Sequence, residues 1–152
     1  MRNDLKPLQN WLPLVAVVLL LVSGGCEGVT GGPYKILTVK GDKTEIAAGE
    51  SMSVTISVGR SGRPQVQHTD TIDVAVTPSD ARLKVSPKIV SFEEIAGENS
   101  VRIVLRPGST LPREFVFDVQ VPGGMPAGEY HLKVSMKANN ESDESSLTLK
   151  VP

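Results

Sequence analysis

Apolar residues fall at every second position over most of this chain, most regularly between residues 51 and 58. There Met52, Val54, Ile56 and Val58 alternate with Ser51, Ser53, Thr55 and Ser57. A period of two places one set on one face of an extended strand and the other set on the opposite face. Ile36-Leu-Thr-Val39 predicts an earlier short strand, which Ile46 and Ala48 extend after a break at Gly41-Asp42. Ile72, Val74 and Val76 predict the next strand, Leu83 and Val85 a short one stopped by Ser86-Pro87, and Ile89, Val90 and Phe92 another. Val101, Ile103 and Leu105 follow, then Phe115, Phe117, Val119 and Val121, then Tyr130, Leu132, Val134 and Met136. Leu147, Leu149 and Val151 close the series after a polar hairpin loop over 139–144. Residues 59–69 form the longest unpatterned stretch, and Glu93-Glu94 reads as a solvated turn. No segment after residue 33 sustains a 3.6-residue period. Short strands broken by Gly, Pro, Asn and Asp at intervals of about 8 to 12 residues predict an all-β sandwich or barrel.

The beginning of the chain follows another pattern. Met1 to Asn10 is polar and carries Arg2 and Lys6, and Trp11 to Val22 is a run of apolar residues without charge. A spanning helix needs about 20 apolar residues, whereas a shorter run after a basic start matches the apolar core of an export signal. Small residues Ser23, Gly24 and Gly25 come next, followed by Cys26, the one cysteine of the 152-residue chain. Leu21-Val-Ser-Gly-Gly-Cys26 resembles a bacterial lipoprotein signal. The resemblance implies cleavage after Gly25 and a lipid on Cys26, holding the protein to a membrane of the bacterial envelope. Ser23 stands where that family prefers leucine. Ser23 and Gly25 also satisfy an ordinary signal peptidase at the same bond, which leaves secretion as a soluble protein as the alternative. Glu27 to Pro33 is rich in glycine and reads as a tether. The expected organisation is a signal peptide over 1–25, a flexible tether over 26–33 and one domain over 34–152.

Composition and charge narrow the partners. The first 25 residues hold Arg2, Lys6 and Asp4, leaving 14 basic against 16 acidic residues in the mature part. That balance offers no footprint for nucleic acid and no polybasic segment for an anionic membrane surface. A lone cysteine forms no internal disulfide.

Ala-Gly-Glu occurs at 48–50, 96–98 and 127–129, each ahead of an alternating strand, and is read as a turn in which glycine supplies the conformation. In the third copy, Pro126-Ala-Gly-Glu-Tyr-His-Leu132 resembles the entry to the penultimate strand of immunoglobulin-like domains. There a Gly-x-Tyr places a tyrosine hydroxyl against backbone at the corner. Gly128 and Tyr130 match, and Leu132 occupies the place of the second cysteine. The domain thus resembles the disulfide-free, fibronectin type III-like and bacterial immunoglobulin-like sandwiches. The resemblance implies an immunoglobulin-like β-sandwich of about seven to nine strands, serving as a spacer, an adhesive unit or an accessory domain.

Candidate chemistry is sparse. His68, Asp70 and Asp73 are close in sequence, but His68 and Asp70 share one side of an extended chain and Asp73 takes the other. They read as a solvated loop rather than a metal site, which needs convergent ligands. His131 alternates outward. Glu141, Asp143 and Glu144 lack the spacing of a calcium loop and read as a hairpin tip. Asn140-Glu-Ser142 matches a glycosylation sequon by pattern alone. Tyr34, Phe92, Phe115, Phe117 and Tyr130 are the aromatics available to a sugar platform, and most hold core-phase positions. No catalytic, cofactor-binding or metal residue is assigned. The expectation is a non-enzymatic module that contacts another envelope protein. A carbohydrate- or small-ligand-binding domain using the 59–69 loop is the alternative. An enzyme ranks last, because no nucleophile–base pair can be named.

Overall fold

The computed structural model describes residues 34–62, 65–88 and 93–152. The export segment, the tether, the cleavage residue Gly25 and Cys26 lie outside the described residues, as does the strand expected at Ile89–Phe92. The described part is all β. Its strands are β1 (Tyr34–Gly41), β2 (Ser51–Arg60), β3 (Asp70–Pro78), β4 (Lys84–Lys88), β5 (Glu93–Gly97), β6 (Ser100–Leu105), β7 (Arg113–Gln120), β8 (Gly128–Ala138) and β9 (Glu141–Val151).

They form a sandwich of two antiparallel sheets, one ordered β1-β2-β7-β4 and the other β5-β6-β3-β8-β9. The alternation seen in the sequence is the cause. Val54, Ile56 and Val58 of β2 and Phe115, Phe117 and Val119 of β7 line one inner face. Ile72, Val74 and Val76 of β3, with Val101, Ile103, Leu105, Leu132, Val134 and Met136, line the other. Ser53 and Thr55 between them are half-buried, with the Ser53 hydroxyl donating to Asp118 at 3.0 Å, whereas Ser57 is buried. Burying each aliphatic side chain contributes about 1.5 to 3 kcal/mol, and the phase of the alternation thereby selects the register.

Four local expectations need correction. Ser86-Pro87 does not stop the strand: β4 runs through Pro87 to Lys88. Among the described residues its ladder is to β7, and an edge strand tolerates the absence of the N–H that proline lacks. Glu93 and Glu94 begin β5, paired with Ile103 and Arg102, and are not a turn. Ile46 and Ala48 are not in a strand. Ile46 is buried within the β1–β2 connection, where its N–H donates to the Lys150 carbonyl at 2.9 Å, and Ala48 is exposed. The polar loop at 139–144 shrinks to Asn139-Asn140. Asn139 adopts φ 52°, a left-handed conformation that asparagine tolerates, so β9 starts at Glu141. Of the three Ala-Gly-Glu copies, Gly49 has a positive φ (90°), whereas Gly97 and Gly128 are strand residues.

Candidate functional site

The two long sides of the sandwich are closed differently. On one side β1, an edge of the first sheet, lies against β9, an edge of the second. The Glu141 carboxylate accepts the Tyr34 N–H and the Asp143 carboxylate accepts the Ile36 N–H, both at 2.8 Å. At the far end of β9, Lys150 donates its N–H to the Thr44 carbonyl at 3.3 Å.

Behind Tyr34 stands a buried polar group. Asp70 opens β3 in the inward phase of Ile72 and Val74, so its side chain enters the interior and is only 8% exposed. The Tyr34 hydroxyl donates to Asp70 Oδ2 at 2.5 Å, and Asn139 Nδ2 donates to Asp70 Oδ1 at 2.8 Å. The Arg60 guanidinium lies 5.0 Å over the Tyr34 ring, a favourable cation–π distance. Burial by itself opposes ionisation of Asp70. The bonds from Tyr34 and Asn139, with the positive charges of Arg60 and His68, outweigh it and hold the carboxyl below its ordinary range. The Tyr34 phenol is pushed well up, first by burial, then by its bond to Asp70 and the charge there.

The other long side carries edges β4 and β5, each laddered to one neighbour, β7 and β6. A groove of about 610 Å³ lies here beside β4, while a smaller one of about 270 Å³ lies away from this side, on the outer face of the second sheet over β3, β8 and β9. The buried Leu83 and half-buried Val85 lie along the larger groove, with Pro78 at the end of β3, Ala81 from the turn that follows, and Lys84, Ser86, Glu98, Asn99 and Gln120 as polar wall. Asp80 shapes the rim by accepting the Arg82 N–H at 2.9 Å and its guanidinium at 2.6 Å. Those bonds from the Arg82 side chain and backbone draw the carboxyl down to about 2. Ile95 of β5 is in register with the inward-facing Val101, yet it is 63% exposed. The second sheet has one strand more than the first, and at β5 it presents that apolar side chain to solvent.

The structure disperses the sequence candidates. Asp70 is committed to Tyr34 and Asn139. Asp73 points outward and pairs with Arg102 at 2.7 Å. His68 is exposed, and His131 is exposed beside Thr148, with Nδ1 3.0 Å from its hydroxyl. Glu141 and Asp143 are strand residues that bond β1, while Glu144 pairs with Lys133 at 2.8 Å. The loop over 59–69 is pinned in its middle: Val66 is buried and exchanges backbone bonds with Ser109 and Gly108. Tyr34, Phe115 and Phe117 are buried and Phe92 lies outside the described residues. The Tyr130 hydroxyl donates to the Pro126 carbonyl at 2.9 Å, the corner bond that Gly128 and Tyr130 announced. The residues that sequence reasoning missed are Tyr34, Asn139 and the groove-lining Leu83 and Val85. Only Asp70 carried a signal, a charged residue in the apolar phase of its strand.

No protein-family model matches the chain, and no curated protein matches it. Solved structures with a similar backbone course include a conjugative transposon lipoprotein from Bacteroides eggerthii. It shares 12% identity over 77% of this chain and 96% of that one, with a TM-score of 0.47. The sporulation control protein Spo0M from Bacillus subtilis is 16% identical over 79% of this chain and 49% of its own, with a TM-score of 0.48. A cohesin module from a Clostridium perfringens family 33 glycoside hydrolase is 13% identical over 80% and 96%, with a TM-score of 0.42. Each is a likeness of backbone course at low identity, and none identifies the chain.

Proposed function

We propose that this chain is an exported β-sandwich module, held to a bacterial membrane by a lipid on Cys26, that contacts another envelope protein and catalyses no reaction. The unequal closure of the sandwich carries this reading: one side is closed by β1 against β9, and the other offers a strand edge beside a groove of mixed polar and apolar lining. Tyr34 pairs with Arg60 at one end of the first sheet, and the groove residues Lys84 and Gln120 lie at the opposite end. The eight residues from Cys26 to Pro33 reach at most about 28 Å. An extended partner segment laid along β4 would cover the half-buried Val85 with the exposed Lys84 and Ser86 and meet main-chain groups of the edge. Pro87 withholds one donor and limits the length of such a ladder. Anchoring raises the effective concentration of the module near membrane partners without any added contact.

Detergent phase partitioning tests the anchor. Wild type is expected in the detergent phase and Cys26→Ser in the aqueous phase, and a wholly aqueous wild type refutes it. A photo-crosslinking residue at Ser86, compared in cells with one at Thr148 on β9, tests the surface. A discrete adduct at Ser86 that is absent at Thr148 supports the groove, and equal labelling at both refutes it.

A further inference from the structure

The first strand is held by unlike means on its two sides. β2 supplies a main-chain ladder from Tyr34–Arg60 to Gly41–Val54, interrupted by a bulge between Ile36 and Thr38. On the other side the second sheet supplies side chains. Tyr34 and Ile36 are two residues apart, as are Glu141 and Asp143, so two N–H groups meet two carboxylates in step. Asp70 adds a third carboxylate through the Tyr34 hydroxyl. Apolar burial along β1 is thin: Tyr34 is buried, Ile36 and Val39 are half-buried and Leu37 is 46% exposed. Beyond the strand the chain is pinned again, where Thr44 and Ile46 bond Lys150 and Ile46 enters the core.

We propose that β1 is a releasable strand, freed as a unit when Glu141 and Asp143 are protonated, with the opening stopped at Thr44–Ile46. A charge-assisted bond is roughly twice as strong as a neutral one, so protonation of Glu141 and Asp143 weakens both N–H holds. The surrounding charges reinforce the change. Lys35 on β1, Arg60 at the end of β2, His68 before β3 and Lys137 on β8 are the basic groups of this region, and Glu144 on β9 is a further acid. The clasp then turns from a balanced cluster into a positive one. The window is below about pH 4, where carboxyl groups protonate. Asp70 is held below the ordinary carboxyl range by its bonds.

Release adds the 8 residues of β1 to the segment before it, about 27 Å of further reach. It also uncovers the β2 edge as an acceptor for another strand. The added stand-off from a membrane rests on the anchoring proposed above, whereas the release itself does not.

Hydrogen exchange read by mass spectrometry on the full mature chain in detergent, at pH 7 and pH 3.5, tests the proposal once rates are corrected for intrinsic pH dependence. Peptides from 34–41 are expected to exchange at least ten-fold faster at pH 3.5, while 70–78 and 128–138 keep their protection. Glu141→Ala with Asp143→Ala is expected to produce the same opening at pH 7, and Glu144→Ala none. Should the alanine pair fail to fold, Glu141→Gln with Asp143→Asn is expected to open β1 several-fold at pH 7. Protection of β1 equal to that of 51–60 at both pH values overturns the proposal, and so does loss of protection by the whole domain at once. Cys26→Ser is expected to behave as wild type here, so a failed anchor and a failed clasp are told apart.

Discussion

Replacing Tyr34 by phenylalanine removes one oxygen and, with it, the bond to Asp70. The ring stays in place beneath Arg60, so the change isolates the hydroxyl. Asp70 is buried and keeps the Asn139 side chain as a hydrogen-bond donor. A hydrogen bond to a buried charged group contributes about 1.5 to 3 kcal/mol, so Tyr34→Phe is expected to destabilise the domain by about 2 kcal/mol at pH 7. With a urea slope of roughly 1 to 3 kcal/mol/M, the unfolding midpoint falls by about 1 M. The pH dependence supplies the sign. Asp70 titrates lower in the folded than in the unfolded chain. Its contribution is therefore complete above the unfolded value near 3.9 and is lost as pH falls through the folded value. Tyr34 titrates higher when folded, so its contribution holds below about pH 10 and fades above it. The stability gap between wild type and Tyr34→Phe should accordingly be widest between about pH 5 and 9 and narrow toward pH 2. Urea titrations by circular dichroism across that range read it directly. A midpoint unchanged at pH 7, or a gap that widens in acid, would refute the reasoning.

Other substitutions test other joints of the fold. Ile46→Ala should cost about 2 to 5 kcal/mol although Ile46 lies outside every strand, because it fills the core; Ala48→Ser, on an exposed residue, should be silent in the same urea titration. Tyr130→Phe should lower stability by about 1 kcal/mol through loss of the bond to the Pro126 carbonyl, visible as a thermal midpoint a few degrees lower. Gly124→Ala should destabilise by about 1 kcal/mol, since Gly124 has φ 83°. Its neighbour Gly123, with open space where a Cβ would go and no such φ, should accept alanine without loss.

The sequence by itself determined the class of fold and most strand positions, because a period of two assigns each residue to a face whatever the strand's neighbours. It also announced the Tyr130 corner and the opposed sides of Asp70 and Asp73. What it could not order was the strands: β1 and β9 are separated by most of the domain, and nothing local says that their edges meet. Glu141 and Asp143 read as a hairpin tip for that reason, since their N–H partners on β1 lie 107 residues away. Asp70 in the apolar phase was visible, but its two donors come from the first strand and from a distant turn. The groove was likewise beyond reach, because it is a difference between two sheets, of four strands and five. Local pattern fixes which way a side chain points; which distant edge it meets is settled only when the sheets pack.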